Sequence, residues 1–164
     1  MRTKPKISWL EIFWPRPLDG EVISALAQRL VSDPSLGRVV IQTYASSDGV
    51  RFYLGINEHK VVVVTQLLQD LVPGVHVVQL PQDEDTAASA FGSVTRPYLT
   101  RTVRLRVSRS SQLLDITRHE QLMRGLLGAL GHLSLGEVIV LQLVLTCPPC
   151  AECCAVSAVV GYVA

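Results

Sequence analysis

The chemistry open to this sequence begins with sulfur. All four cysteines of the 164 residues fall within Cys147-Pro148-Pro149-Cys150-Ala151-Glu152-Cys153-Cys154, and thiolates two residues apart are the ligands that tetrahedral zinc takes. A structural zinc site draws two such pairs from separated turns, and the sequence holds no second pair. The segment therefore reads as a run of thiols and not as a metal site. The four histidines, His59, His76, His119 and His132, fall one to an element, and none stands with a serine or cysteine and a carboxylate in an arrangement that marks a triad. A P-loop motor needs the frame G-x-x-x-x-G-K-[ST], whose amides cradle phosphate while the lysine and hydroxyl serve the phosphates and magnesium. The only lysines are Lys4, Lys6 and Lys60, and none follows a glycine in that frame. No catalytic residue, cofactor-binding residue or metal ligand is assigned, no cofactor is expected, and the chain reads as a non-enzyme.

What remains is surface chemistry. Arg96, Arg101, Arg104, Arg106, Arg109, Arg118 and Arg124 gather in the second half, and arginines alternating along a strand can neutralise phosphates or meet an acidic partner. No aromatic residue interleaves with them to stack bases, so a solvated sheet face competes with nucleic-acid contact. Arg101, Arg104, Arg106 and Arg109 form the candidate partner or nucleic-acid surface. Gly125, Gly128 and Gly131, spaced by three, put a ridge without side chains on one helix. Each glycine costs a helix about 1 kcal/mol relative to alanine, so close packing along the ridge is expected in return. Phosphate binding is the lesser reading, because phosphate loops sit where helices start. Trp9 and Trp14 read as core and rim.

The elements that position these residues follow from periodicity. Ile7 to Trp14 is dense in β-branched and aromatic residues and stops at Pro15 and Pro17, which makes it a strand. Asp19 is placed to cap a helix whose stripe is Val22, Leu26 and Leu30, with Ile23 and Ala27 beside it. That helix ends near Ser32-Asp33-Pro34. Val39 to Tyr44 and Val50 to Leu54 flank Asp48-Gly49, a hairpin dipeptide, so the two strands should pair antiparallel. Val64, Leu67, Leu68 and Leu71 set a second helical stripe that ends at Pro73-Gly74, and Val75 to Leu80 supplies a fourth strand. Val61 to Val64 are four consecutive β-branched residues that favour a strand by propensity. The spacing downstream of them decides for a helix. The resulting β-α-β-β-α-β order predicts an α+β, ferredoxin-like split unit with both helices on one face of an antiparallel sheet.

From Pro81 to Ser93 three acids and several small residues lack any apolar period, as expected of an exposed connection. Beyond it Val103, Leu105 and Val107 alternate with Arg104 and Arg106 as a half-buried strand. Thr117-Arg118-His119-Glu120 forms a capping box for a helix through Leu122, Leu126 and Leu130, and Glu137 to Leu145 reads as a central strand buried on both faces. The pattern of the first unit thus restarts and stops about halfway, as a partial β-α-β unit over 96–146. Its hairpin partner, second helix and last strand are missing from this reading, and 147–164 is left as a Cys-rich apolar tail. An unpaired sheet edge is the expected consequence.

Composition agrees with a folded chain. With 48% hydrophobic residues, a chain of this length buries about two-thirds of its unfolded surface. Net charge is +1, but residues 1–90 carry 8 basic and 10 acidic side chains while residues 91–164 carry 7 and 4. The second unit is the basic one. No apolar run reaches the roughly 18 residues of a membrane span, and the first six residues are not followed by an export-type apolar core. A cytoplasmic location is expected, with any membrane association through a larger complex.

Short strings carry a resemblance. Trp9-Leu10-Glu11-Ile12-Phe13-Trp14-Pro15-Arg16-Pro17-Leu18-Asp19, Ala25-Leu26-Ala27-Gln28-Arg29-Leu30, Val50-Arg51-Phe52-Tyr53-Leu54-Gly55 and Leu71-Val72-Pro73-Gly74 together resemble the N-terminal region of type IV secretion and conjugative DNA-transfer ATPases of high-GC Gram-positive bacteria. The resemblance covers about residues 7–146 and contains no catalytic signature. It implies a part in moving DNA or protein across the envelope, ahead of an ATP-hydrolysing ring motor whose P-loop this chain does not contain. A truncated or isolated piece is the matching expectation. Two functions follow: a non-catalytic assembly domain that binds protein partners or itself through sheet edges, or a stand-alone ferredoxin-like protein that binds or converts a small ligand.

Overall fold

A computed structural model describes residues 6–81, 101–105, 124–125, 128–146 and 155–163. It shows an α+β chain whose strands join in one seven-stranded sheet. The strands are β1 (Ile7–Phe13), β2 (Arg38–Ser46), β3 (Gly49–Asn57), β4 (His76–Gln79), β5 (Arg101–Leu105), β6 (Val138–Thr146) and β7 (Ala155–Val163), and the helices are α1 (Gly20–Ser32) and α2 (Val61–Leu71). The spatial order is β4-β1-β3-β2-β6-β7-β5, and every neighbouring pair is antiparallel.

Local signals set the first six elements. Asp19 caps α1 by accepting the Glu21 amide at 2.9 Å, which satisfies one of the amides left open at a helix start. Asp33 closes the helix and opens a single 3-10 turn, Pro34–Leu36, by accepting the Ser35 amide at 2.9 Å. Those hydrogen bonds from Ser35 hold its carboxyl below the usual carboxylate range. The β2–β3 hairpin pairs Ser46 with Gly49, so its turn residues are Ser47 and Asp48 and not the expected Asp48-Gly49. Gly49 begins β3 at φ +122°, which only glycine adopts without strain. A second 3-10 turn, Glu58–Lys60, is capped by Asn57, which accepts the His59 amide at 3.2 Å, and leads into α2. Gly74 ends that segment at φ +82°.

The valine run from Val61 to Val64 is helical, as its downstream spacing predicts. Helix geometry puts Val64 and Leu68 on one face and fully buries both, while Val62 is 80% exposed. A strand would have sent Val62 and Val64 to the same side. Packing of the stripe outweighs the β propensity of the residues, since each buried Val or Leu contributes about 1.5–3 kcal/mol.

Both helices cover the same face. Leu26 and Leu30 of α1 and Val64 and Leu68 of α2 share one core with Leu10, Ile12, Val39, Leu54, Ile56 and Leu145. Leu145 belongs to β6, so the second half of the chain contributes to the core of the first. The opposite face has its own cluster of Tyr44, Tyr53, Leu80 and Val138, with Trp9 and Val140 packed on it. The sheet is therefore apolar on both sides at its centre.

Three expectations for the second half need correction. First, the segment from Ala155 is not a tail: β7 pairs along all nine residues with β6, from Val138↔Val163 to Thr146↔Ala155, and on its other side with β5. The hairpin partner that the sequence reading left missing is this strand. The apolar and β-branched run Ala155-Val156-Ser157-Ala158-Val159-Val160 suits an interior strand, paired with β6 along its whole length and with β5 over Ala158–Tyr162. Second, β6 is central, between β2 and β7, but between the buried Val138 and Leu145 its residues are only partly buried. Third, among the described residues a Cβ added at Gly125 or Gly128 meets nothing within 4 Å, so the expected close packing along the ridge is not seen there. Helical backbone is described at 124–125 and 128–130. The capping box at Thr117 and the acidic connection after Pro81 lie outside the described residues.

Candidate interaction surface

One row of residues crosses the sheet. Register aligns Val78, Glu11, Tyr53, Gln42, Gln142, Val159 and Arg104 side by side, one from each strand from β4 to β5. Alternation along β1, β2, β3 and β6 puts Glu11, Tyr53, Gln42 and Gln142 on the face away from α1 and α2, because Leu10, Ile12, Val39, Leu54 and Leu145 occupy the helix face. At its centre Gln142 Nε2 donates to Gln42 Oε1 at 2.6 Å. Gln42 is only 4% exposed, so this bond satisfies a buried amide whose desolvation would otherwise go uncompensated.

Tyr53, 1% exposed, lies in the row between Glu11 and Gln42. Burial raises its hydroxyl above the ordinary tyrosine pKa, and the nearby Glu11 charge raises it further, while Arg51 opposes both. Arg51, two residues before Tyr53 on the same strand, is itself pushed up, chiefly by its contact with the Tyr53 hydroxyl. Tyr44, directly opposite Arg51 in the ladder, is also raised by burial. This cluster keeps both phenols protonated and acts as a polar seam inside an apolar face.

Next to it an open cleft of about 360 Å³ is lined by Glu11, Phe13, Trp14, Arg16, Arg51 and Phe52 among others. Its walls are held by ring contacts: Trp14 meets Phe52 edge to face with centroids 6.5 Å apart, and Phe13 meets His76 at 5.8 Å. Trp14 therefore sits at the rim of the first core, as its position at a strand end predicts. Trp9 lies on the other face, directly opposite Gly55. A Cβ on Gly55 would come within 2.8 Å of Trp9 Cζ3, so the glycine makes room for the indole to lie over the strand.

The proposed partner residues are only partly placed. Arg101 and Arg104 belong to β5, the terminal strand of the sheet. Arg106 and Arg109 lie outside the described residues, as do all four cysteines. Of the histidines, His59 is in the 3-10 turn before α2, His76 starts β4 and His132 follows the last described helical residues, while His119 lies outside the described residues. Among the described residues no group of three or more His, Cys, Asp or Glu could hold a metal ion, and no helix is long and apolar enough to cross a membrane.

The row through Tyr53 and Gln42 escapes sequence inspection. Its members are spaced by 11 residues or more along the chain and meet only through strand register. A glutamine pair, one member buried and the other half-buried, on strands that read as half-apolar leaves no periodic signal. The chain matches no protein-family model and no curated protein.

Proposed function

We propose that the chain is a non-catalytic assembly domain of a conjugative-transfer or type IV secretion ATPase, built on a ferredoxin-like first unit. The order β4-β1-β3-β2, with α1 and α2 on one face, supports that plan. The short strings quoted above supply the link to the ATPase family. The observation that carries the reading is the way the two units merge into one sheet. Pairing β2 with β6 along nine positions uses strand edges as an interface inside the chain, and the same chemistry serves between chains.

The experiment is deletion of the gene in a donor strain, followed by counting transconjugants. Transfer frequency should fall by at least about tenfold and return when the intact chain is supplied, since an assembly contact worth 1.4 kcal/mol changes occupancy tenfold. Wild-type transfer frequency in the deletion strain would remove the proposal.

A second reading draws on the cleft beside Trp14 and Arg51. Its volume lies at the lower end of small-ligand pockets, and its aromatic walls carry two cations, Arg16 and Arg51, and one carboxylate, Glu11, the mix of apolar wall and few polar groups that such sites use. It predicts a stand-alone small-molecule binder. A thermal shift of the purified chain on adding an aromatic carboxylate, abolished by Arg51→Leu, would favour it.

A further inference from the structure

The cleft beside Trp14 opens where two strands part. The ladder between β1 and β3 stops at Ile12↔Phe52, although β3 runs back to Gly49 and there pairs with β2 alone. Pro15 and Pro17 follow β1, and proline cannot donate to a ladder. Residues from both faces of the sheet therefore line the opening of about 360 Å³. Trp14 and Phe52 pack against the core on the helix side and meet edge to face at 6.5 Å, which gives the cleft an aromatic wall. Glu11 and Arg51 belong to the opposite face, because Glu11 stands directly across the ladder from Tyr53 and Arg51 is two residues before Tyr53 on β3. The cleft is apolar on one side and charged on the other.

The charges are close and of both signs. Glu11 and Arg51 are diagonal neighbours across the two strands, a backbone separation of about 7–8 Å in an antiparallel sheet. Arg16, from the segment after β1, is the third charged group of the lining. Among the described residues ion pairing is confined to Lys6 and Glu58, which leaves the Glu11 and Arg16 charges open to a ligand. Every residue that lines the cleft is described.

We propose that this cleft binds a free aromatic α-amino acid. The inference deepens the small-molecule reading of the cleft and rests on it. The ring lies against Trp14 and Phe52, the α-carboxylate takes the guanidiniums of Arg16 and Arg51, and Glu11 accepts from the α-ammonium. Arginine suits the carboxylate because its planar fork offers two parallel N–H donors. Glu11 separates an amino acid from a plain aromatic acid: a carboxylate alone meets it as a like charge, whereas the zwitterion offers it a cation. The end of a peptide carries only one of the two charges, so it matches the site less well than the free amino acid.

The test is calorimetric titration of the full-length protein with L-phenylalanine, with its N-acetyl form, which lacks the ammonium, and with its amide, which lacks the carboxylate. L-Phenylalanine should bind tightest, and each derivative should lose about tenfold or more in affinity, the effect of one hydrogen bond to a charged group. Glu11→Gln should erase the preference over the N-acetyl form, and Arg51→Leu should shrink the preference over the amide, with urea midpoints checking that both variants fold. The ligand series on the native protein decides the matter without any substitution. Equal binding of L-phenylalanine and its N-acetyl form, or a preference that survives Glu11→Gln, would overturn the amino-acid assignment and leave a cleft for aromatic acids. Failure of all three compounds to bind would overturn the small-molecule reading as well.

Discussion

Gln42 and Gln142 lie 100 residues apart in the chain and directly opposite each other across β2 and β6, joined by a 2.6 Å hydrogen bond between their side-chain amides. The bond lies at the seam of two units that repeat each other, so each glutamine is the counterpart of the other. A polar pair there specifies register: a two-residue slip of β6 would keep apolar faces apolar but separate the amides. A one-residue slip would turn every β6 side chain to the other face.

Replacing either glutamine alone should therefore destabilise the fold. Gln142→Leu leaves the buried Gln42 amide without its partner, which costs about 1–3 kcal/mol, and Gln42→Leu strands the half-buried Gln142 amide at a smaller cost. The double variant should recover part of that loss, because two leucines need no partner. Urea unfolding of the four proteins in a double-mutant cycle measures it, and strictly additive losses would show that the bond does not couple the units.

Gly55→Ala tests the seat of Trp9. The added methyl would stand 2.8 Å from the indole, and crowding of this kind costs about 1–3 kcal/mol. Trp9→Leu should relieve most of the penalty in the double variant. A Gly55→Ala protein as stable as the parent, with unchanged tryptophan emission, would mean that the ring moves aside freely.

Leu68→Ala should be among the most damaging single changes. The side chain is fully buried between α2 and the sheet, and such truncations cost about 2–5 kcal/mol through lost burial and the cavity left behind. Val62→Ala on the same helix, with its side chain in solvent, should change stability by less than about 0.5 kcal/mol. Comparable losses at both sites in denaturant unfolding would contradict the helix orientation.

Tyr53 predicts an alkaline limit. Its pKa in the folded chain is raised above the ordinary tyrosine value of 10.0 by burial and by Glu11, so above that pH the folded state holds a proton that the unfolded state has released. Stability is complete below the unfolded pKa and falls as pH rises through the folded one. Tyr53→Phe should flatten that decline, read from urea midpoints across the alkaline range together with tyrosinate absorbance. Tyr44 shifts in the same direction and should leave a smaller residual slope.

Sequence alone determines the first unit closely. Asp19, Asp33, Gly49 and Gly74 act through backbone geometry within a few residues, and the stripes of α1 and α2 announce which faces are buried. Local physics suffices there because caps, turns and helical periods are short-range. The second unit was legible only as pieces. The apolar run from Ala155 carries no alternation that assigns a face, and a strand between two others is recognised by what it pairs with, which spacing along the chain does not reveal. Tertiary structure alone decided that β6 joins β2, that β7 fills the place between β6 and β5, and that Glu11, Tyr53, Gln42, Gln142 and Arg104 fall in one row. Each of those facts is a long-range choice of partner and register, made by the simultaneous burial of two sheet faces.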